Sequence, residues 1–431
     1  MRLKRNVFVI GLIVSMLLTS CNSKPASSPS AQGASSPTSS ATEEGSATSE
    51  NAATASYDGG TETPESTDPE TVYYHRSIMN EGNPARIAAA MKKAIAGEPV
   101  TIGVIGGSIT FGNAASDTNT KSWAALMKDW WVEKFPQAQI TFVNAGIGAT
   151  GSLYGVHRVD RDLLGAKPDF VVVEYSVNDM GVSSATETYE GLVRKILQSD
   201  NRPGVLNLDM MNSTGSSWGS HFVEVNKNYQ LPMVSYREAV WPKVQDGELK
   251  WSELAPDDVH PNDNGHAMTA DLIIHYLNDV LEKVDAIAAP DYSLPSPITA
   301  NGYERSAIYN NLNLTATSNG GWQPYSYQGL WGDGWMATEK GEPLVLEVTG
   351  GYVTINYAKF TLKDRGAKAY VMIDDQTRVD FTANFNGGWG DYMETKILLS
   401  DSGSGKHKLA FFYDDEPYGE FRLVSVMVAN Q

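Results

Sequence analysis

Between about residues 71 and 285 the chain alternates short apolar runs with longer stretches whose apolar positions recur every three or four residues. The short runs lie at residues 101–106, 140–143, 170–174, 205–211 and 232–235. Their length and near-continuous apolar character predict strands covered on both faces. The longer stretches, at residues 85–96, 122–135, 189–197 and 263–284, predict helices. In the last of these Leu272, Ile273, Tyr276, Leu277, Val280 and Leu281 share one stripe, which marks core rather than a ligand box. Strands alternating with helices predict a three-layer α/β domain built on a parallel sheet, spanning residues 71–290.

The pattern changes after a proline-marked connection, Asp291 to Pro297. Short runs of alternating character follow at residues 344–348, 352–357, 369–373 and 408–413, separated by Gly and Asn turns. They predict an all-β domain, a sandwich or jelly roll, over residues 291–431. Aromatic residues crowd near its start: Trp322, Tyr325, Tyr327, Trp331 and Trp335. Such rings either stack on sugar faces, as in a carbohydrate-binding module, or fill the sandwich core.

The N-terminal residues say where the chain is expected to work. Arg2, Lys4 and Arg5 precede an apolar run at residues 7–18, which is shorter than the roughly 20 residues a membrane-spanning helix needs. Leu18-Thr19-Ser20-Cys21 follows, resembling a bacterial lipoprotein signal over residues 1–20. Cys21 is the only cysteine of 431 residues, so no disulfide forms within the chain and lipidation is its expected task. Residues 21–70 are dominated by Ser, Ala, Thr, Pro, Gly and Glu; they hold too little apolar surface to fold and predict a disordered tether. The expected location is extracellular, held to the membrane through lipid on Cys21. Net charge is −18, and loss of the three basic signal residues takes it to −21. That excludes nucleic acid as an expected partner and favours a neutral polymer over a strongly anionic one.

Four segments carry candidate chemistry. In Val104-Ile-Gly-Gly-Ser108-Ile-Thr110 two glycines allow a sharp turn off a strand, which leaves Ser108 at its carboxyl end. Asn144-Ala-Gly-Ile-Gly-Ala-Thr150 is a loop whose backbone N–H groups can face an oxyanion. The run 170–177 is followed by Asn178, an amide able to donate to developing negative charge, although Asn178-Asp179 also reads as a helix cap or an Asx turn. In Asp257-Asp258-Val259-His260-Pro261 the three-residue spacing lets Asp257 hold the His260 imidazole in one tautomer, so that it can take a proton from a serine.

Taken as a set, these segments resemble the four blocks of the SGNH (GDSL-type) hydrolase superfamily, in the family's order and over roughly residues 75–285. The Gly-Gly-Ser-Ile-Thr block is similar to that of a bacterial branch that includes carbohydrate acetyl esterases. The resemblance implies Ser108 as nucleophile, His260 as general base and then acid, and Asp257 as its orienting partner. It implies an oxyanion hole made of the Ser108 N–H, a loop N–H and the Asn178 side chain. Where the family usually has the loop glycine this chain has Ala149, whose N–H serves if its dihedrals permit; Gly148 is the other candidate.

The implied function is removal of acyl groups, acetyl foremost, from a polysaccharide or cell-wall glycan, with no metal and no cofactor. The same machinery serves lipases, thioesterases and cell-wall O-acyltransferases, and a non-catalytic glycan-binding lipoprotein is the reading of another class. His266, six residues beyond His260, is expected in the first turn of the closing helix rather than in a metal pair. Glu174, inside an apolar strand, needs a partner if buried, and Arg158 or Arg161 is expected to supply it.

Overall fold

The computed structural model describes residues 68–326, 332–362, 365–387, 390–400, 403–414 and 419–430. Cys21, Tyr327 and Trp331 lie outside them, as do residues 1–20 and nearly all of the 21–70 segment. The first described helix, Pro69–Ser77, is capped by Asp68, whose carboxylate accepts from the Thr71 N–H at 2.9 Å.

Six strands form the first sheet: β1 (Ile78–Asn80), β2 (Val100–Gly106), β3 (Ile140–Gly146), β4 (Phe170–Glu174), β5 (Gly204–Asp209) and β6 (Met233–Ser235). Their order is β1-β6-β5-β4-β2-β3. All neighbours from β6 to β3 pair in parallel, as the alternation predicts. The departure is β1, which pairs antiparallel to β6. With three residues it is too short to show a period in the sequence.

The sheet is covered on both faces. On one, Met91, Trp131, Leu272, Ile273 and Leu277 pack on Ile102, Val104, Phe170 and Val172. On the other, Val156, Val159, Leu192, Ile196 and Phe222 meet Ile105, Val171, Val173 and Val205. Neighbours in β2 and β4 therefore point to opposite layers, which is why those strands read as continuous apolar runs. Burying each such side chain contributes about 1.5–3 kcal/mol. Because β2 sits between β3 and β4, the loops leaving all three strands converge at its carboxyl end, where sites form in sheets of this kind.

The second region is all-β. Its strands are β7 (Ser306–Tyr309), β8 (Gln323–Ser326), β9 (Asp333–Ala337), β10 (Leu344–Gly350), β11 (Tyr352–Lys359), β12 (Lys368–Ile373), β13 (Thr377–Thr382), β14 (Tyr392–Leu399), β15 (Gly405–Tyr413) and β16 (Phe421–Ala429). One sheet runs β10-β15-β12-β13; the other runs β14-β11-β16-β9-β8, with β7 added on β16. Leu346, Val371 and Phe411 from the first meet Ile355, Leu423 and Val426 from the second. The outer face of the second sheet is covered too: Met393, Val424 and Met427 pack on Tyr154 of the α/β domain. β11 is consequently buried along its whole length rather than on alternate residues.

Trp322 and Trp335 are 1% and 2% exposed and belong to the sandwich core. Neither ring has a face open to a sugar, so the carbohydrate-stacking reading fails for both. Tyr325 is half-buried beneath the Arg422 guanidinium, 5.4 Å from its ring. The segment that follows the proline-marked connection is fastened along helix Ala185–Gln198. Glu190 accepts from the N–H groups of Ile298 and Thr299, both at 2.8 Å, Glu187 accepts from Gly302 N–H at 2.7 Å, and Arg194 pairs with Glu304 at 2.8 Å.

Candidate active site

The turn after β2 is shaped by close approach rather than by unusual dihedrals. A Cβ on Gly106 would come 2.0 Å from Thr110 Oγ1, and one on Gly107 would come 2.0 Å from Asn178 Oδ1. Only glycine fits at either place, and Gly107 keeps an ordinary φ of −89°. Ser108 then opens the short helix Ser108–Phe111, which brings its N–H to a helix start. The serine residue is 6% exposed.

His260 reaches this serine from 152 residues away. Its Nε2 lies 2.8 Å from Ser108 Oγ, and its Nδ1 lies 2.8 Å from Asp257 Oδ2. An ionised Asp257 accepts a proton bond from Nδ1, which leaves Nε2 as the acceptor facing the hydroxyl. Asp257 Oδ1 accepts from the N–H groups of Val259 and His260 at 2.8 and 2.7 Å, so the tripeptide folds around its own carboxylate. Burial alone would raise the Asp257 pKa; the hydrogen bonds from His260 and Val259 outweigh it and hold the group below the usual carboxylate range. The Trp251 indole donates to the Asp257 carbonyl at 2.7 Å and braces the loop from outside. Asp258 turns away to Ser213, whose N–H donates to its carbonyl at 2.8 Å and whose Oγ donates to its side chain at 3.1 Å.

The other two segments border the serine. Ala149 adopts φ +58°, the left-handed region that favours glycine, so the loop keeps a glycine-like turn without the glycine. A Cβ on Gly148 would lie 3.7 Å from Ser108 Cβ, which sets Gly148 directly over the nucleophile; the N–H groups of both residues stay candidates. Asn178 packs its amide on Gly107, one residue before Ser108. Its neighbour Asp179 caps no helix of its own segment. Asp179 Oδ1 accepts from Ser152 N–H at 2.8 Å, fixing the start of helix Ser152–Asp162 just beyond the Ala149 loop.

Beneath these groups lies a layer of buried carboxyls that the sequence reading largely missed. Glu174 is fully buried, and neither Arg158 nor Arg161 is its partner; Thr110 Oγ1 donates to Oε2 at 2.9 Å instead. Arg158 is claimed by Asp162 one turn away on its own helix at 3.1 Å, and it donates to the Gly106 carbonyl at 3.2 Å and the Tyr175 hydroxyl at 3.1 Å. Arg161 likewise pairs with Asp162. Asp209, also buried, accepts from Ser235 Oγ at 2.6 Å and from Ser217. Burial pushes all three acids up: Glu174 to about 8, Asp179 to about 7 and Asp209 to about 6.

His266 lies in the first turn of helix Asp263–Glu282, where it accepts from Trp123 N–H at 3.3 Å and faces the Asn113 carbonyl at 3.2 Å. Burial pushes its pKa down to about 4, which keeps it neutral. Among the described residues no three His, Cys, Asp or Glu side chains are grouped as around a metal ion. A cavity of about 1190 Å³ contains neither Ser108 nor His260; it begins at Phe111 and Ile147, beside the candidate oxyanion loop, and extends to Asn310, Asp333 and Ser425 of the β region.

Residues 104–268 match the GDSL-like lipase/acylhydrolase family. The chain is similar in structure to a two-domain esterase active on acetylated mannans, with 34% identity, 83% of this chain and 98% of that chain covered, and a TM-score of 0.77. The same esterase co-crystallised with mannopentaose gives 34% identity, the same coverage and a TM-score of 0.76. Thioesterase 1/protease 1/lysophospholipase L1 of Escherichia coli (strain K12) is 25% identical over 190 residues, which is 42% of this chain and 85% of that protein.

Proposed function

Because the chain belongs to the GDSL-like lipase/acylhydrolase family and is a carboxylic ester hydrolase, we propose that it removes acetyl groups from a neutral polysaccharide through an acyl-enzyme on Ser108. The observation that carries the mechanism is the unbroken row from Asp257 through His260 to Ser108 Oγ, 2.8 Å at each side-chain contact.

Ser108 Oγ attacks the ester carbonyl carbon as His260 Nε2 takes its proton. The carbonyl oxygen becomes an oxyanion facing Ser108 N–H, the Asn178 amide and the N–H of Gly148 or Ala149. As the tetrahedral carbon collapses, the bond to the sugar oxygen breaks and His260 returns the proton to that oxygen. Water, deprotonated by the same imidazole, then attacks acetyl-Ser108; acetate leaves and Ser108 Oγ is reprotonated.

The polysaccharide reading is supported by a likeness that runs through both domains of an esterase acting on acetylated mannans. The likeness to the thioesterase and lysophospholipase spans the catalytic part alone and favours, as a second reading, longer acyl chains. Cys21 as a lipid-bearing residue, with the Ser/Thr/Pro-rich segment after it as a tether, completes the proposal: an enzyme held outside the cell on its membrane.

The test is acetate release by the full chain from acetylated mannan, acetylated xylan and O-acetylated peptidoglycan, with Ser108→Ala as control. Release that the substitution abolishes supports the proposal and identifies the polymer. No release from any of them, with turnover of long-chain acyl esters, would overturn it in favour of the second reading.

A further inference from the structure

Two buried oxygens beside the nucleophile turn, Glu174 Oε1 and Asn178 Oδ1, have no hydrogen-bond partner among the described residues. Both belong to groups that meet at Gly107. Its N–H faces the Glu174 carboxyl, and its Cα lies so close to the Asn178 amide that a Cβ would come 2.0 Å from Oδ1. Among the described residues no cation pairs with the carboxyl. Thr110 Oγ1 donates to it from the nucleophile helix, Asp179 acts on it from the turn after β4 and Asp209 from the end of β5, and Arg158 is committed to Asp162, Gly106 and Tyr175. An ionised Glu174 would be an uncompensated negative charge in the apolar interior, close to where the ester oxyanion forms.

We propose that Glu174 is a positioning residue that acts as a neutral carboxylic acid, holding the Gly107–Thr110 turn so that Ser108 N–H and the Asn178 amide face the oxyanion, and that its ionisation shuts down ester hydrolysis on the alkaline side. The inference rests on the reading of Ser108 as nucleophile. Glu174 acts through Gly107 and Thr110 and touches no substrate. Its side chain is placed as the role requires: β4 pairs with β2 in the register Gly106 to Glu174, so the acid lies level with the turn it braces. Burial raises its pKa to about 8 against the hydrogen bonds of Thr110 and Gly107, and Asp179 and Asp209 add to the rise. The neutral form therefore prevails through neutral pH.

The experiment is the kcat profile of the full chain on p-nitrophenyl acetate from about pH 5 to about pH 10. The native chain is expected to lose about tenfold in kcat per pH unit above a midpoint near 8. Glu174→Gln, which stays neutral, is expected to retain turnover at neutral pH and to lack that alkaline limb. Thr110→Val keeps the acid and removes a bond that favours its ionised form, so its limb should move to higher pH; this variant decides the matter where Glu174→Gln fails to fold. A native profile without the limb, an unchanged limb in Glu174→Gln or an unmoved limb in Thr110→Val would overturn the proposal while leaving serine esterase chemistry intact. No turnover by the native chain at any pH would overturn both.

Discussion

Two sets of carboxyls lie at the same end of the same sheet and live in opposite environments. Asp257 has a side chain 51% exposed and accepts two backbone N–H groups and an imidazole. Glu174, Asp179 and Asp209 are at most 1% exposed and take their hydrogen bonds mainly from hydroxyls and single N–H groups. The first environment keeps a charge and uses it to orient a base; the second suppresses charge and uses the acid as a brace. The chemical side chain is almost the same, so burial and the donors around it decide the role.

The comparison breaks most severely at the row that Asp257 orients. Ser108→Ala removes the nucleophile and should lower kcat on acetyl esters on the order of 10⁵- to 10⁶-fold, measured by acetate release, with little change in melting temperature. Asp257→Asn keeps the shape but removes the charge that fixes the His260 tautomer; a loss of about 10⁴-fold in kcat is expected, and a loss under tenfold would mean that Asp257 is not the orienting group. Asn178→Ala deletes one oxyanion donor and should cost on the order of 100- to 1,000-fold in kcat with KM nearly unchanged. A change confined to KM would assign Asn178 to substrate binding instead.

The buried set is sharpened by stability rather than by rate. Each of the three acids has a folded-state pKa above its ordinary value, so the folded chain holds protons that the unfolded chain releases. That contribution is complete below about pH 4 and is lost as pH rises through about 6, 7 and 8 in turn. Melting temperature should therefore decline by several degrees across that window, and Asp209→Asn should flatten its lower part. A melting temperature that climbs steadily to pH 8 would show that the buried acids are ionised in the folded chain.

The catalytic row was legible in the sequence because each of its parts carries a local mark. Asp257 and His260 sit three residues apart, and Ser108 and Asn178 each follow a strand that declares itself by an apolar run. The buried layer was not legible. Thr110 and Glu174 are 64 residues apart and meet only because β2 and β4 are neighbours, and Arg158 and Arg161, the cations expected to pair with Glu174, are both satisfied by Asp162 on their own helix. For Trp322 and Trp335 the sugar-stacking reading failed, and the core reading held, for a related reason. The sequence places these rings in a β-rich region but does not say whether they face solvent or the opposing sheet. The same limit hid the full burial of β11, whose second face is covered by a different domain.

The most direct test of the central claim, that the Asp257–His260–Ser108 row makes one serine into a nucleophile, is labelling of the full chain with a fluorophosphonate followed by peptide mass analysis. The account predicts a single adduct, on Ser108, abolished in His260→Ala. An unlabelled Ser108, or equal labelling without His260, would contradict it.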